Sequence, residues 1–297
     1  MTMSEIKGVI TAMVTPFGKD GEVDYAAARR VAAYLVEHGS HGVVVAGTTG
    51  EAPTLSDEEQ LRLFDAVLEE IGDDATVIAG TGSNDTRHAA ELSAAAAKAG
   101  ADAVLVVTPY YNRPNRRGVM AHYKAVAEAI GETPIVLYNI PARTGLNLPP
   151  DQLAELAAEI PNVVAVKQAN NDELAPIEGL DLLAGNDEVF QRTLAMGGAG
   201  GILVASHVVG AQMRELYEAA QAGDHERAEA IDAELRPVYE ALTVTCNPIP
   251  IKTALELLGV IDSRMRLPLV PASPEEREEI RRALTEHGLP VSGGAAA

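Results

Sequence analysis

The 297-residue sequence has no tryptophan, three phenylalanines and one cysteine. With aromatics at 4% and hydrophobic residues at 47%, any core must be built from aliphatic side chains, and widespread disorder is excluded. The lone Cys246 rules out an intramolecular disulfide and a thiolate metal cluster; it is expected to pack as a small buried apolar residue. Positive charge is scarce too: 23 Lys and Arg against 43 Asp and Glu give a formal charge of -20. A field of that sign repels nucleic acid and anionic lipid, so neither is expected as a partner. It also disfavours an anionic substrate at long range, so a site for an acid must rely on local Arg, Lys and backbone donors. No stretch reaches the ~18 apolar residues of a membrane span, and the opening MTMSEIKGVITAMVTPF lacks a basic region followed by a long apolar run. A cytoplasmic location is expected. Among the histidines only His38 and His41 are closely spaced, so no metal site is expected.

What is present is a regular alternation. Eight short β-branched runs recur: Val9 to Val14, Gly42 to Val45, Thr76 to Ala79, Ala103 to Val107, Ile135 to Asn139, Val163 to Lys167, Leu182 to Ala184 and Gly201 to Val204. They are continuously apolar, as parallel strands buried on both faces are. Amphipathic stretches lie between them: Tyr25 to His38, Ser56 to Ile71 with a Ser56/Glu59 capping box, Arg87 to Ala99, Gly118 to Ile130 and Pro150 to Ile160. Eight such units closing on themselves make an α/β fold, a (β/α)8 TIM barrel, with an open doubly wound sheet as the runner-up. Gln212 to Ala222, Asp224 to Leu242, Ile251 to Leu258 and Pro274 to Glu286 keep helical periodicity without a further strand. The expected organisation is therefore a catalytic barrel over residues 1–223, a small C-terminal helical domain over 224–290 and a disordered end at 291–297. The glycine run at 197–201 precedes the eighth strand, which places it at the structural face of a barrel and reads as a turn, not a phosphate cradle.

In such a barrel the chemistry sits at the C-terminal ends of the strands. The sixth run delivers Lys167 there. Burial disfavours the charged form of a lysine, and a neutral amine can attack a ketone carbonyl to form a Schiff base; a loop lysine in solvent is the ordinary alternative. The fifth run ends in Tyr138 and, shortly after, Arg143: a phenol able to give and take a proton, and a guanidinium able to hold a carboxylate bidentately. A satisfied core tyrosine and a solvated loop charge are the bland readings. The second run ends in Gly47-Thr48-Thr49-Gly50-Glu51, whose hydroxyls and N–H groups suit a carboxylate or simply cap a helix. The fourth ends in Thr108-Pro109-Tyr110-Tyr111-Asn112-Arg113-Pro114, too aromatic for an ordinary linker and suggestive of a partner surface.

Taken together, these motifs, with Tyr138-Asn139-Ile140-Pro141, Val166-Lys167 and Asn247-Pro248-Ile249-Pro250-Ile251-Lys252, closely resemble the dihydrodipicolinate synthase family over almost the whole chain. The resemblance implies a pyruvate-dependent class I aldolase-type lyase, as a rule a homotetramer, with no cofactor beyond the imine that pyruvate forms on Lys167. It implies that Tyr138 shuttles protons, in a relay with Thr48 and with Tyr111 reaching in from a neighbouring subunit. It further implies that Thr49 and nearby N–H groups hold the pyruvate carboxylate, that Ile202 walls the pocket, and that Arg143 binds the carboxylate of L-aspartate 4-semialdehyde. The implied product is 4-hydroxy-tetrahydrodipicolinate, on the route to lysine. A lyase acting on a 2-keto-3-deoxy sugar acid is the alternative within enzymes, and a catalytically silent binding barrel the alternative outside them. Gln168-Ala169-Asn170-Asn171-Asp172 departs from the family pattern, which often has an acidic residue directly after the lysine; this bears on the acceptor aldehyde. Ala52, Pro53, Asp57, Gln60, Asn84 and His88 match poorly the positions that bind lysine in feedback-inhibited members, so weak or absent feedback is expected.

Overall fold

The computed structural model describes residues 6–291. Eight parallel strands close a barrel in sequence order, with β8 returning to pair with β1. They are β1 Gly8–Ala12, β2 Gly42–Val45, β3 Thr76–Gly80, β4 Ala103–Val107, β5 Ile135–Asn139, β6 Val163–Gln168, β7 Asp181–Ala184 and β8 Gly200–Leu203. The surrounding helices are α1 Tyr25–Glu37, α2 Asp57–Ile71, α3 Thr86–Ala99, α4 Arg116–Ile130, a single-turn α5 Pro141–Thr144, α6 Pro150–Glu159, α7 Phe190–Ala195 and α8 Ser206–Gln221. After them come α9 His225–Ala241, α10 Ile249–Leu257 and α11 Pro274–Glu286.

The apolar continuity of the strands has its cause in the layering. Alternate residues point to opposite faces of a strand. Ile10, Val44, Ile78, Leu105, Val136 and Ile202 fill the barrel interior, whereas Val9, Val43, Val77, Val104 and Leu137 pack outward against the helices. The capping box of α2 forms as expected, with Ser56 Oγ accepting the Glu59 N–H and Glu59 returning to the Ser56 N–H. The glycine run lies at the N-terminal end of β8, where strands crowd: a Cβ on Gly200 would sit 2.2 Å from the Gly8 carbonyl oxygen.

Two helical features differ from the sequence reading. Helix α7, six residues long, is too short to display a periodicity and escaped detection. Helix α8 starts at Ser206, ahead of the expected Gln212, because a kink at Val209 (φ -126°, ψ 29°) interrupts the pattern. Helix α9 packs on α8, and α11 packs on α9 and α10. The expected tail falls outside the described residues from 292 onward. Among the described residues no helix is long and apolar enough to cross a membrane.

Candidate active site

Lys167 stands at the C-terminal end of β6, in register with Tyr138 on β5. Both share the inward parity of Ala165 and Val136, so their side chains project into the barrel. Each is 5% exposed, and the Lys167 Nζ lies 4.4 Å from the centroid of the Tyr138 ring. Ile202 is fully buried in the same inner layer. Amine and phenol therefore meet inside the barrel, whose apolar interior Ile202 shares.

The next residues along these two strands, Asn139 and Gln168, point outward and are wholly buried. Asn139 Nδ2 donates to Gln168 Oε1 at 3.0 Å, to Asn147 Oδ1 at 3.0 Å and to the Leu148 carbonyl at 3.2 Å, and its Oδ1 accepts the Leu148 N–H at 3.0 Å. Gln168 Oε1 also accepts the Asn170 N–H at 3.0 Å. The departure from the family pattern after Lys167 is thus a neutral amide clip that fixes the two strand ends bearing Tyr138 and Lys167. Position in the sequence alone could not reveal it, because the partners come from the loop before α6 and the loop after β6.

After β2 the chain makes a turn bracketed by two non-glycine residues in the left-handed region, Ala46 (φ 52°) and Glu51 (φ 58°). Such conformations persist only where the surroundings enforce them. Thr15 Oγ1 donates to the Gly50 carbonyl at 2.6 Å, and β3 can pass beneath only because residue 80 is glycine: a Cβ there would lie 2.4 Å from the Ala46 oxygen. Within the described residues no chain acceptor takes the N–H groups of Thr48 and Thr49. They remain as donors for an anion.

The cover of the site comes from the segment between α9 and α10. Asn247 Nδ2 donates to Thr49 Oγ1 at 2.9 Å, while the Asn247 carbonyl accepts Arg143 Nη2 at 3.3 Å. One residue thereby spans from the Thr48–Thr49 turn to the exposed guanidinium on α5. Nothing in the Asn247-Pro248-Ile249-Pro250-Ile251-Lys252 motif by itself assigns Asn247 this place, since its partners are distant in sequence. Cys246 corrects an expectation: it is exposed, not buried, because it lies in this covering loop with its Sγ 3.9 Å from Arg143 Nη2.

A cavity of about 430 Å³ opens here, lined by Thr48, Tyr110, Tyr138, Arg143 and Thr144 and extending to Gln60 and His88. Lys167, Thr49 and Ile202 are not among its lining residues. Tyr111 is not brought to Tyr138 and Thr48 within the chain. It is 90% exposed, in the left-handed region (φ 68°), with its N–H bonded to the Thr144 carbonyl, while Tyr110 takes the place at the cavity wall. At the far end of the cavity His88 pairs with Asp57 at 2.8 Å, and the Asn84 carbonyl accepts Asn112 Nδ2.

Charges around the mouth are tuned by burial. The Asp187 carboxyl, after β7, is pushed up to about 6 by loss of water, against the opposing pull of the Val204 and Ala205 N–H groups and of the Lys167 charge. The buried ring of His207 is lowered to about 4 by loss of water. Its Nε2 accepts the Val14 N–H and its Nδ1 faces the Val204 carbonyl at 2.8 Å, so the ring carries its proton on Nδ1. An inward amine beside a phenol, with anion donors on one side and a guanidinium on the other, is suited to imine chemistry on a keto acid.

Comparison with known proteins points the same way. Residues 5–287 match the model of the dihydrodipicolinate synthetase family. The 4-hydroxy-tetrahydrodipicolinate synthase of Synechococcus elongatus is 48% identical over 288 residues, covering 95% of this chain and 96% of its own. The dihydrodipicolinate synthase from Aquifex aeolicus superimposes with a TM-score of 0.93 at 39% identity, covering 97% of this chain and 100% of its own. The enzyme from Cyanidioschyzon merolae, solved with lysine bound, gives 0.92 at 41% identity, covering 95% and 98%.

Proposed function

The chain belongs to the dihydrodipicolinate synthetase family, and from that premise we propose that it condenses pyruvate with L-aspartate 4-semialdehyde to give 4-hydroxy-tetrahydrodipicolinate. The observation that carries the reading is Lys167, buried at the barrel mouth with its amine over the Tyr138 ring. In this reading Lys167 Nζ attacks the pyruvate C2 carbonyl and water leaves as the imine forms. The imine is the electron sink that lets the methyl carbon lose a proton, and the resulting enamine attacks the aldehyde carbon. The semialdehyde's amino group then attacks the imine carbon, closes the ring and releases Lys167. No external cofactor is called for.

Tyr138 and Thr48 move the protons, with Tyr111 completing the relay from a neighbouring subunit of a homotetramer; the support is an exposed tyrosine held in an unfavourable backbone conformation. The free N–H groups at Thr48 and Thr49 hold the pyruvate carboxylate, Ile202 walls the pocket, and Arg143 holds the acceptor's carboxylate. The barrel over residues 1–223 carries these groups, and the 224–290 helical unit covers them through Asn247. The setting is the cytoplasm, in lysine and diaminopimelate synthesis. Lysine inhibits weakly or not at all; the support is that Ala52, Pro53, Gln60 and His88, which match the inhibited members poorly, line the cavity.

The test is semialdehyde-dependent pyruvate consumption by the purified protein, coupled to dihydrodipicolinate reductase. Fast turnover is expected. Imine formation without turnover would redirect the search to sugar-acid aldehydes.

A further inference from the structure

The Asn247-Pro248-Ile249-Pro250-Ile251-Lys252 motif ends in a charge that the reaction does not use. Lys252 and Glu51 are each wholly buried and form an ion pair at 2.5 Å. The remaining valences are occupied: Lys252 Nζ also donates to the Arg264 carbonyl at 2.7 Å, and Glu51 Oε2 accepts the Arg266 N–H at 3.0 Å. Lys252 Nζ stands 4.4 Å from the centre of the Phe17 ring. A buried pair of this kind is a poor source of stability, because removing two charges from water costs about as much as their attraction returns. Burial holds the Lys252 amine below its ordinary value in spite of Glu51.

The location suggests what the pair is for. Glu51 closes the strained turn whose preceding residues, Thr48 and Thr49, present the free N–H groups, and its own φ of 58° needs outside enforcement. Lys252 is on α10, whose leading loop brings Asn247 onto Thr49 Oγ1. We propose that Glu51 and Lys252 are positioning residues for the anion-binding turn, clamping it to α10 so that Thr48, Thr49 and Asn247 are set for the keto-acid carboxylate. The inference rests on the assignment of that carboxylate to the turn.

The double variant Glu51→Gln/Lys252→Met removes both charges together and leaves side chains of similar size. Its KM for pyruvate is expected to rise roughly 5–10-fold while the KM for the semialdehyde stays within about twofold, the signature of lost binding at one subsite. Glu51→Asp keeps both charges and shifts the carboxylate by one methylene; a smaller rise in the same constant is expected. A folded double variant with unchanged pyruvate KM overturns the proposal. So does a double variant that cannot fold, since the pair would then hold the fold and not the turn. Borohydride trapping of pyruvate on the parent protein separates the two levels: no adduct sinks the keto-acid reading itself, whereas a normal adduct with unaltered variants sinks only the clamp.

Discussion

Asn139→Ala removes the amide that joins β5, β6 and the loop leading into α6. Of the four groups bonded to Asn139, two keep a donor: Gln168 Oε1 retains the Asn170 N–H and Asn147 Oδ1 retains Asn170 Nδ2. The other two are the N–H and carbonyl of Leu148, a fully buried residue whose side-chain partner for both groups is Asn139. Leaving a buried polar group unsatisfied costs ~1–3 kcal/mol, so the expected loss is about 2–6 kcal/mol. For a chain of this size that corresponds to a fall of roughly 3–10 °C in melting temperature. Asn139→Asp should do no better: it keeps the acceptor for Leu148 N–H but sets a carboxylate against three oxygens. Calorimetry and urea unfolding of parent and variants provide the measurement. A loss below ~1 kcal/mol would mean that water or backbone movement satisfies Leu148 at little cost and that Asn139 is not its necessary partner. Turnover should fall as well, since the clip holds the strand ends that carry Tyr138 and Lys167.

Arg143→Ala should raise the semialdehyde KM by about 10–100-fold, the worth of a charge-assisted hydrogen bond, and leave imine formation with pyruvate intact; an equal effect on both substrates would contradict the assignment. Acid should weaken the fold. Unfolded histidines take up protons near 6.5, whereas His122 and His207 refuse them until about 4, so their stabilisation is full above 6.5 and declines as pH falls through that window. Asp187, raised to about 6, acts in the opposite sense between there and its unfolded value, leaving a net loss of ~3 kcal/mol from one histidine equivalent. The melting temperature is expected to drop between pH 7 and 4.5, and a rise would contradict the assignment of buried neutral rings. Cys246 should react stoichiometrically with a thiol reagent in the native protein, and protection until denaturation would contradict its exposed placement.

The barrel was legible because its strands are buried on both faces, which writes continuous β-branched runs into the chain, and because the intervening helices carry caps and one-sided apolar faces. The placement of Lys167, Tyr138 and Thr48 at the C-terminal face was legible for a related reason: each lies at or just after the end of such a run. Other features depend on tertiary proximity. Asn247 reaches Thr49 across 198 positions. The Glu51–Lys252 pair joins residues that look in isolation like a helix-leading acid and a surface lysine. Cys246 was misjudged because small apolar thiols are usually buried, whereas this one caps an exposed loop. The kink at Val209 and the six-residue length of α7 leave no periodic trace.

Mass spectrometry of the intact protein after incubation with pyruvate and borohydride decides whether Lys167 forms an imine with a keto acid. One reduced pyruvate per chain is expected, located by peptide mapping on Lys167 and absent from Lys167→Ala. An unmodified Lys167, or an adduct on another lysine, would rule out Schiff-base chemistry at this residue.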